Sequence, residues 1–178
     1  WRALTKEGYK DEDIFATNLL MLLSSIAFGR LTLIFVGAPE IGCFWGAVVI
    51  IFWRLKAAGK NVWEGLDCLA LPWLYFLFFN GIGYFLTNRN FFYLGFNLIA
   101  FLGFFLYRFL KTRYRRFSWY KSGKIGFMFW AVSFYGFFSL LTLDFLLNGG
   151  LYLNKLLISI SFLASAAVIY YRAETKKK

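Results

Sequence analysis

The chain has 178 residues, of which 60% are hydrophobic, and its mean hydropathy is +0.59. A soluble domain of this length cannot bury so much apolar surface, whereas a lipid bilayer solvates it. The net charge of +11 does not indicate a nucleic-acid-binding protein, because the basic residues flank apolar segments, where cations fix membrane topology. The composition therefore predicts an integral membrane protein.

Six apolar segments follow one another, and a helix needs about 20 residues to cross the hydrocarbon core. The pattern predicts an all-α, polytopic membrane helix bundle that forms a single transmembrane domain over residues 1–178. The second segment is short, and we expect it to extend at either end. We also expect residues to precede Trp1, and an N-terminal helix among them would bring the number to seven. The predicted helices cover residues 14–36, 41–53, 62–86, 91–109, 125–147 and 151–171.

The basic residues indicate the orientation of these helices. If the N-terminus is cytoplasmic, all but three of the 20 basic residues fall in cytoplasmic segments; the exceptions are Arg30, Arg89 and Lys155. Such a bias predicts that both termini are cytoplasmic. Residues 108–124 form the longest of the basic segments and are predicted to be a solvated cytoplasmic turn, with attraction to anionic lipid as the second interpretation.

The sequence predicts neither a disulfide nor a metal site. Cys43 falls near the outer end of the second predicted helix and Cys68 near the inner end of the third, about a bilayer thickness apart. There is no histidine, and no spacing of residues is typical of metal ligands. No cofactor is predicted.

Arg30 is a single guanidinium within the first apolar segment, about 9 Å below its outer end at 1.5 Å per residue. Burying an arginine in hydrocarbon costs about 2.5–3.5 kcal/mol, so we expect an anion beside it. Other polar residues also fall in the outer halves of the predicted helices. We predict a polar cavity that opens to the extracytoplasmic side, with Arg30 and Asp144 as its charges; a structural Arg30–Asp144 ion pair is the alternative. The uncharged members of this group are Asn80, Asn97, Ser139 and Ser159.

Several segments resemble one family in their order and spacing. They are Lys6-Glu7-Gly8-Tyr9, Phe28-Gly29-Arg30-Leu31, the stretch from Gly46 through the basic turn to Trp63-Glu64-Gly65-Leu66-Asp67, and Tyr135-Gly136. Together they resemble the prolipoprotein diacylglyceryl transferases over nearly the whole chain, starting after that family's first transmembrane helix. Glycines at family motif positions are Gly42, Gly46, Gly83 and Gly136.

The resemblance implies a lipid-modifying enzyme of a bacterial-type cytoplasmic membrane. The family transfers a diacylglyceryl group from phosphatidylglycerol to the thiol of a lipobox cysteine in the signal peptide of a prolipoprotein. Arg30, Asn80, Asn97, Ser139 and Tyr135 would then meet the anionic phospholipid headgroup, since arginine in particular holds phosphate oxygens well. The thiol must lose its proton to become a good nucleophile, and Asp144 and Glu40 are the candidate acceptors.

The chain departs from the family at the positions that carry charge. Ile41 stands at the position of a family histidine, Gly81 and Ser139 at arginine positions, Tyr84 at an asparagine position and Leu143 at a glutamate position. Three functions therefore stay open. They are a divergent diacylglyceryl transferase, a non-catalytic protein that binds lipid or lipoprotein in the same cavity, and a small transporter or channel subunit. The apolar inner halves of the helices weigh against the third.

Overall fold

A computed structural model describes residues 10–37, 39–89, 94–116, 120, 125–147 and 152–174. Within these residues the protein is all-helical, which confirms the predicted fold class. Six α-helices and one 3-10 turn follow one another. They are α1 (Asp11–Val36), α2 (Pro39–Ala57), α3 (Val62–Asn88), α4 (Leu94–Arg113), the 3-10 turn (Tyr114–Arg116), α5 (Phe127–Leu147) and α6 (Tyr152–Glu174).

Four of the helices are long and apolar enough to cross a membrane: Asp11–Phe35, Val62–Thr87, Leu94–Arg113 and Leu153–Ala173. Helix α2 has 19 residues and carries charges at both ends, and α5 contributes a shorter apolar stretch, Phe127–Leu143. By length and composition, α1, α3, α4 and α6 are thus suited to span a membrane, whereas α2 and α5 match the predicted segments as helices. The chain is a helical membrane protein.

Helix α1 begins three residues before the predicted start, because Asp11, Glu12 and Asp13 form its first turn rather than a preceding loop. Carboxylates are favoured there by the partial positive charge of the exposed N–H groups. Helix α1 ends at Gly37, which has a φ of 75° and donates its N–H to the Leu33 carbonyl at 3.1 Å. A residue without Cβ takes this left-handed conformation at little cost.

Helix α2 extends the predicted second segment at both ends, as expected. It begins at Pro39, whose fixed φ suits the first turn of a helix, and its last turn holds Arg54 and Lys56, which balance the helix dipole. Asn61 then caps α3: its Oδ1 accepts the Trp63 N–H at 3.1 Å, and its Nδ2 donates to Glu64 at 3.1 Å. The cap holds the start of α3 in place.

The chain divides into two compact units between Cys68 and Leu69. The first unit contains α1, α2 and the first turns of α3. The second contains the remainder of α3 and helices α4, α5 and α6. The candidate residues fall in both units, with Arg30 and Glu40 in the first and the amide, tyrosine and serine group in the second.

In the second unit, aromatic and aliphatic side chains pack around the end of α4 and the start of α5. We call Leu110, Tyr114, Tyr120, Phe127 and Met128 the tyrosine cluster. The rings of Tyr114 and Phe127 are stacked, with their centres 5.5 Å apart, and the ring centres of Tyr120 and Phe127 are 4.5 Å apart. Tyr120 is 1% exposed. The prediction of a solvated turn over residues 108–124 is therefore wrong at Tyr114 and Tyr120, because packing of their rings outweighs the local basic charge.

Candidate functional site

Arg30 lies on an exposed face of α1. Ile26 and Ile34, one turn before and after it, are 53% and 74% exposed, so an apolar surface surrounds the guanidinium. No hydrogen bond or ion pair joins Arg30 to another described residue. The adjacent Gly29 is buried against α2 instead. Within the described part of the first unit, then, no side chain is bonded to the guanidinium, and the residues one turn away are aliphatic.

Arg30 lies most of a bilayer thickness along α1 from the acidic residues of its first turn. From Asp13 to Arg30 the helix rises about 26 Å at 1.5 Å per residue. The hydrocarbon core is about 30 Å thick. If the acidic first turn lies at one headgroup layer, Arg30 therefore lies a few ångströms inside the other. A long arginine side chain reaches headgroups from such a depth.

Glu40, one of the two candidate proton acceptors, is buried in the first turn of α2, where it is 9% exposed. The N-terminal N–H groups of the helix favour a carboxylate at this position. Cys43 follows one turn later and is half-buried against α1, so close that a Cβ on Gly29 would lie 2.6 Å from its sulfur. The structure thus places Glu40 next to a close helix–helix contact.

Gly42 and Gly46, the glycines of α2 to which the sequence resemblance pointed, lie in that contact. A Cβ on Gly42 would lie 2.2 Å from the Phe28 carbonyl oxygen, and one on Gly46 would lie 2.9 Å from the Ser24 carbonyl oxygen. The Ser24 hydroxyl donates to the Gly46 carbonyl at 3.0 Å. Small residues let membrane helices approach closely, and hydroxyl groups then hydrogen-bond across the contact. The structure gives both glycines a packing role.

Asn97, on α4, lies against α3 at Gly81. A Cβ on Gly81 would lie 2.1 Å from Oδ1 of Asn97, and that oxygen is buried without a hydrogen-bond donor among the described residues. Asn80, the preceding residue, is half-buried. By contrast, Gly83 is exposed and a Cβ there would meet open space. Of the two glycines, only Gly81 is needed for close packing.

Tyr135 links α5 to α4, since its hydroxyl donates to the Ile99 carbonyl at 3.0 Å. Ser139 lies one turn further along α5, on the same helix face as Tyr135. Gly136 faces α3, where a Cβ would lie 3.0 Å from Nε1 of Trp73. The structure thus brings Tyr135 and Ser139 together. Asp144 belongs to α5, but its side chain lies outside the described residues.

Arg172 is a buried cation that the sequence analysis did not single out. It lies in the last turn of α6, is 9% exposed and donates a hydrogen bond from Nη2 to the Ile125 carbonyl. Ile169, three residues earlier, packs against the tyrosine cluster. Residues three apart share a helix face, so the apolar pattern of α6 contained a signal that Arg172 lies near packed residues.

The described residues contain no group of histidine, cysteine, aspartate and glutamate side chains that is able to hold a metal ion. The chain was also compared with protein-family models, curated proteins and solved structures, and it matches none of them. Function must therefore be argued from the residues themselves.

Proposed function

We propose that this chain is an integral membrane protein that binds the phosphate of an anionic phospholipid, phosphatidylglycerol first among them, through Arg30. One observation supports this above the others. The guanidinium is exposed on an apolar face of α1, between Ile26 and Ile34, with no carboxylate bound to it among the described residues. Outside this chain, the abundant anion at the edge of a bilayer is a lipid phosphate.

The energetics favour this partner. Leaving a guanidinium in hydrocarbon costs about 2.5–3.5 kcal/mol on insertion scales. A phosphate offers several acceptor oxygens, and arginine binds two of them at once. Because Arg30 lies about 26 Å along α1 from Asp13, the side chain reaches the headgroup layer without leaving the helix face.

The charge pattern adds an orientation to the proposal. Basic residues concentrate on the side of both termini, and this bias supports a cytoplasmic location for those termini. Arg30 then binds lipid of the outer leaflet. The family resemblance in Phe28-Gly29-Arg30-Leu31 and Tyr135-Gly136 adds the bacterial-type cytoplasmic membrane and a prolipoprotein signal peptide as a partner.

Diacylglyceryl transfer is the catalytic form of the same proposal, and the sequence motifs are what supports it. In that reaction the thiol sulfur of the acceptor bonds to the glyceryl carbon, the carbon–oxygen bond to phosphate breaks, and glycerol phosphate leaves. Arg30 would hold the charge that develops on the leaving phosphate, and Glu40 or Asp144 would accept the thiol proton. Since Ile41, Gly81 and Ser139 replace family side chains, lipid binding without catalysis is the form we favour.

Retention of phosphatidylglycerol tests the binding proposal. The protein is assembled in nanodiscs of neutral lipid with a minor fraction of phosphatidylglycerol, and the lipid retained after washing is measured by native mass spectrometry. Arg30→Gln should lower retention about 10-fold or more, because a charge-assisted hydrogen bond contributes roughly 1.5–3 kcal/mol. Arg89→Gln is the matched control, because it removes an exposed arginine that follows α3. Equal retention by the parent and Arg30→Gln would contradict the proposal.

A second arm separates the three functions. A lipobox peptide is added to the same nanodiscs, and a thioether-linked diacylglyceryl product is sought by mass spectrometry. Product that disappears in Arg30→Gln supports the transferase, whereas retained lipid without product supports the binding protein. Solute flux into proteoliposomes, with neither product nor retained lipid, would favour the transporter.

A further inference from the structure

The basic residues at the end of α4 have no acidic residues near them in the sequence. Seven basic residues occur from Arg108 to Lys124, and no aspartate or glutamate occurs between Asp67 and Asp144. Basic residues that only fix membrane topology do not require so long a stretch of sequence without carboxylates. Their counter-ions must therefore come from distant parts of the chain, from solution or from the membrane.

Four of these cations are exposed in the structure: Arg108, Lys111, Arg113 and Arg116, which we call the α4 cation cluster. They occupy the last turns of α4 and the 3-10 turn that follows. None of the four forms an ion pair with another described residue. By contrast, Arg172 is buried and bonded to the Ile125 carbonyl, so it is not available to an external anion.

Packing keeps the cluster at the surface. Leu110 and Tyr114, one turn apart, are buried in the tyrosine cluster, so the cations lie on the remaining faces of the helix. The Lys111 ammonium lies 5.9 Å from the centre of the Tyr107 ring, and the Arg113 guanidinium lies 5.1 Å from that of Phe109. Cation–π contacts of this kind restrain the long side chains.

The cluster also lies at the depth of a headgroup layer. Helix α4 has 20 residues and rises about 30 Å, which equals the thickness of the hydrocarbon core. Lys111 and Arg113 lie in its last turn, Arg116 follows in the 3-10 turn, and Arg108 lies about one turn deeper, from where its long side chain reaches headgroups. Phe105 and Phe109 are 61% and 47% exposed, so exposed aromatic rings lie beside the cations at the end of α4.

We propose that the α4 cation cluster binds the headgroup phosphates of anionic phospholipids in the cytoplasmic leaflet. Basic clusters next to a membrane helix attract anionic lipid, and each exposed lysine or arginine adds to the affinity. None of the four cations is paired with a described carboxylate, so no ion pair among the described residues has to break first. This site does not require Arg30.

The test compares two double variants of the full chain in nanodiscs. Lys111→Gln/Arg116→Gln removes two charges of the cluster. Lys56→Gln/Lys60→Gln is the matched control: both residues are exposed at the end of α2, and the Lys56 ammonium likewise lies 5.7 Å from the Phe52 ring. The control region differs in having Glu64 and Asp67 close in sequence. Enrichment of fluorescent phosphatidylglycerol around the protein, in a neutral lipid background, is the readout.

We expect the cluster variant to lower the affinity for phosphatidylglycerol about 10- to 30-fold and the control variant less than about threefold. Raising the salt concentration should weaken this binding, because exposed charges are screened. Arg30→Gln should leave the salt-dependent part of phosphatidylglycerol binding unchanged. This result would distinguish the α4 cation cluster from the site proposed at Arg30. Equal losses in the two double variants, or no loss in either, would overturn the proposal.

Two further measurements keep the result decisive. If the double variant does not fold, Arg108→Gln replaces it in the same measurement, because Arg108 is exposed and outside the tyrosine cluster. A fluorescent single-stranded RNA is added to neutral nanodiscs as a competing polyanion. RNA binding that the cluster variant abolishes, without any enrichment of phosphatidylglycerol, would refute lipid as the ligand.

Discussion

A Cβ atom on Gly81 would lie 2.1 Å from Oδ1 of Asn97 and 2.7 Å from Cβ of Phe96. Helices α3 and α4 therefore meet at this glycine so closely that no side chain fits between them without movement of one helix. Asn97 and Phe96 fill the space beside Gly81.

Gly81→Ala should destabilise the protein by about 1–3 kcal/mol, because the added methyl group overpacks the contact with α4. Gly83→Ala is the control, since a Cβ there meets open space on the same helix. It should be neutral or slightly stabilising, as alanine favours helix over glycine. The measurement is SDS-induced unfolding in mixed micelles. Equal destabilisation by the two substitutions would show that α3 and α4 are not in close contact at Gly81.

Gly42→Ala should separate α1 from α2, because its methyl group would lie 2.2 Å from the Phe28 carbonyl oxygen, and a backbone atom cannot rotate away. We expect a loss of about 1–3 kcal/mol in the same unfolding assay. Ser24→Ala removes only the hydrogen bond to the Gly46 carbonyl and should cost about 0.6 kcal/mol. A larger effect for Ser24→Ala than for Gly42→Ala would contradict the packing that we describe.

Arg172→Gln should lower the unfolding free energy by about 1.5–3 kcal/mol, because the charged group bonds the Ile125 carbonyl and is buried. Arg108→Gln removes the same charge at an exposed position and should change stability by less than about 0.5 kcal/mol in neutral detergent. Tryptophan fluorescence during unfolding in neutral detergent compares the two. If Arg108→Gln destabilises as much as Arg172→Gln, charge rather than the buried hydrogen bond is responsible.

Tyr135→Phe should lower the unfolding free energy by only about 0.6 kcal/mol, which is typical of a hydrogen bond between membrane helices. The substitution removes the hydroxyl that donates to the Ile99 carbonyl and leaves the ring in place. Phosphatidylglycerol retention by this variant is informative as well. Normal retention means that Tyr135 is a packing residue. Reduced retention with normal stability would support the predicted role of Tyr135 in the lipid site.

Hydropathy was sufficient to predict the helices, because each apolar segment has to satisfy its backbone polar groups internally in lipid. The ends were harder to predict. Helix α1 starts at Asp11 and α2 runs to Ala57, since charged residues that resemble loop residues are favourable in terminal turns. The predicted helix starts at residues 91 and 151 lie outside the described residues.

The candidate site was less predictable than the helices. Depth along a helix is visible in the sequence, but the face on which a side chain lies depends on tertiary packing. Arg30 was expected beside polar groups, and the structure surrounds it with exposed isoleucines within its unit. Arg172 shows the converse: it lies in the last turn of α6, was not among the predicted site residues, and is buried.

The serine hydroxyl groups of the α1–α2 pair and of the α5–α6 pair donate to different acceptors, and this difference affects sliding within each pair. Ser24 and Ser25 donate to carbonyl groups of the neighbouring helix, whereas Ser133 and Ser165, buried in α5 and α6, donate to carbonyl groups of their own helix. Sliding α1 along α2 by one turn therefore breaks hydrogen bonds in an apolar medium. Sliding α5 along α6 leaves those of Ser133 and Ser165 intact, so these two serines do not fix the register of that helix pair.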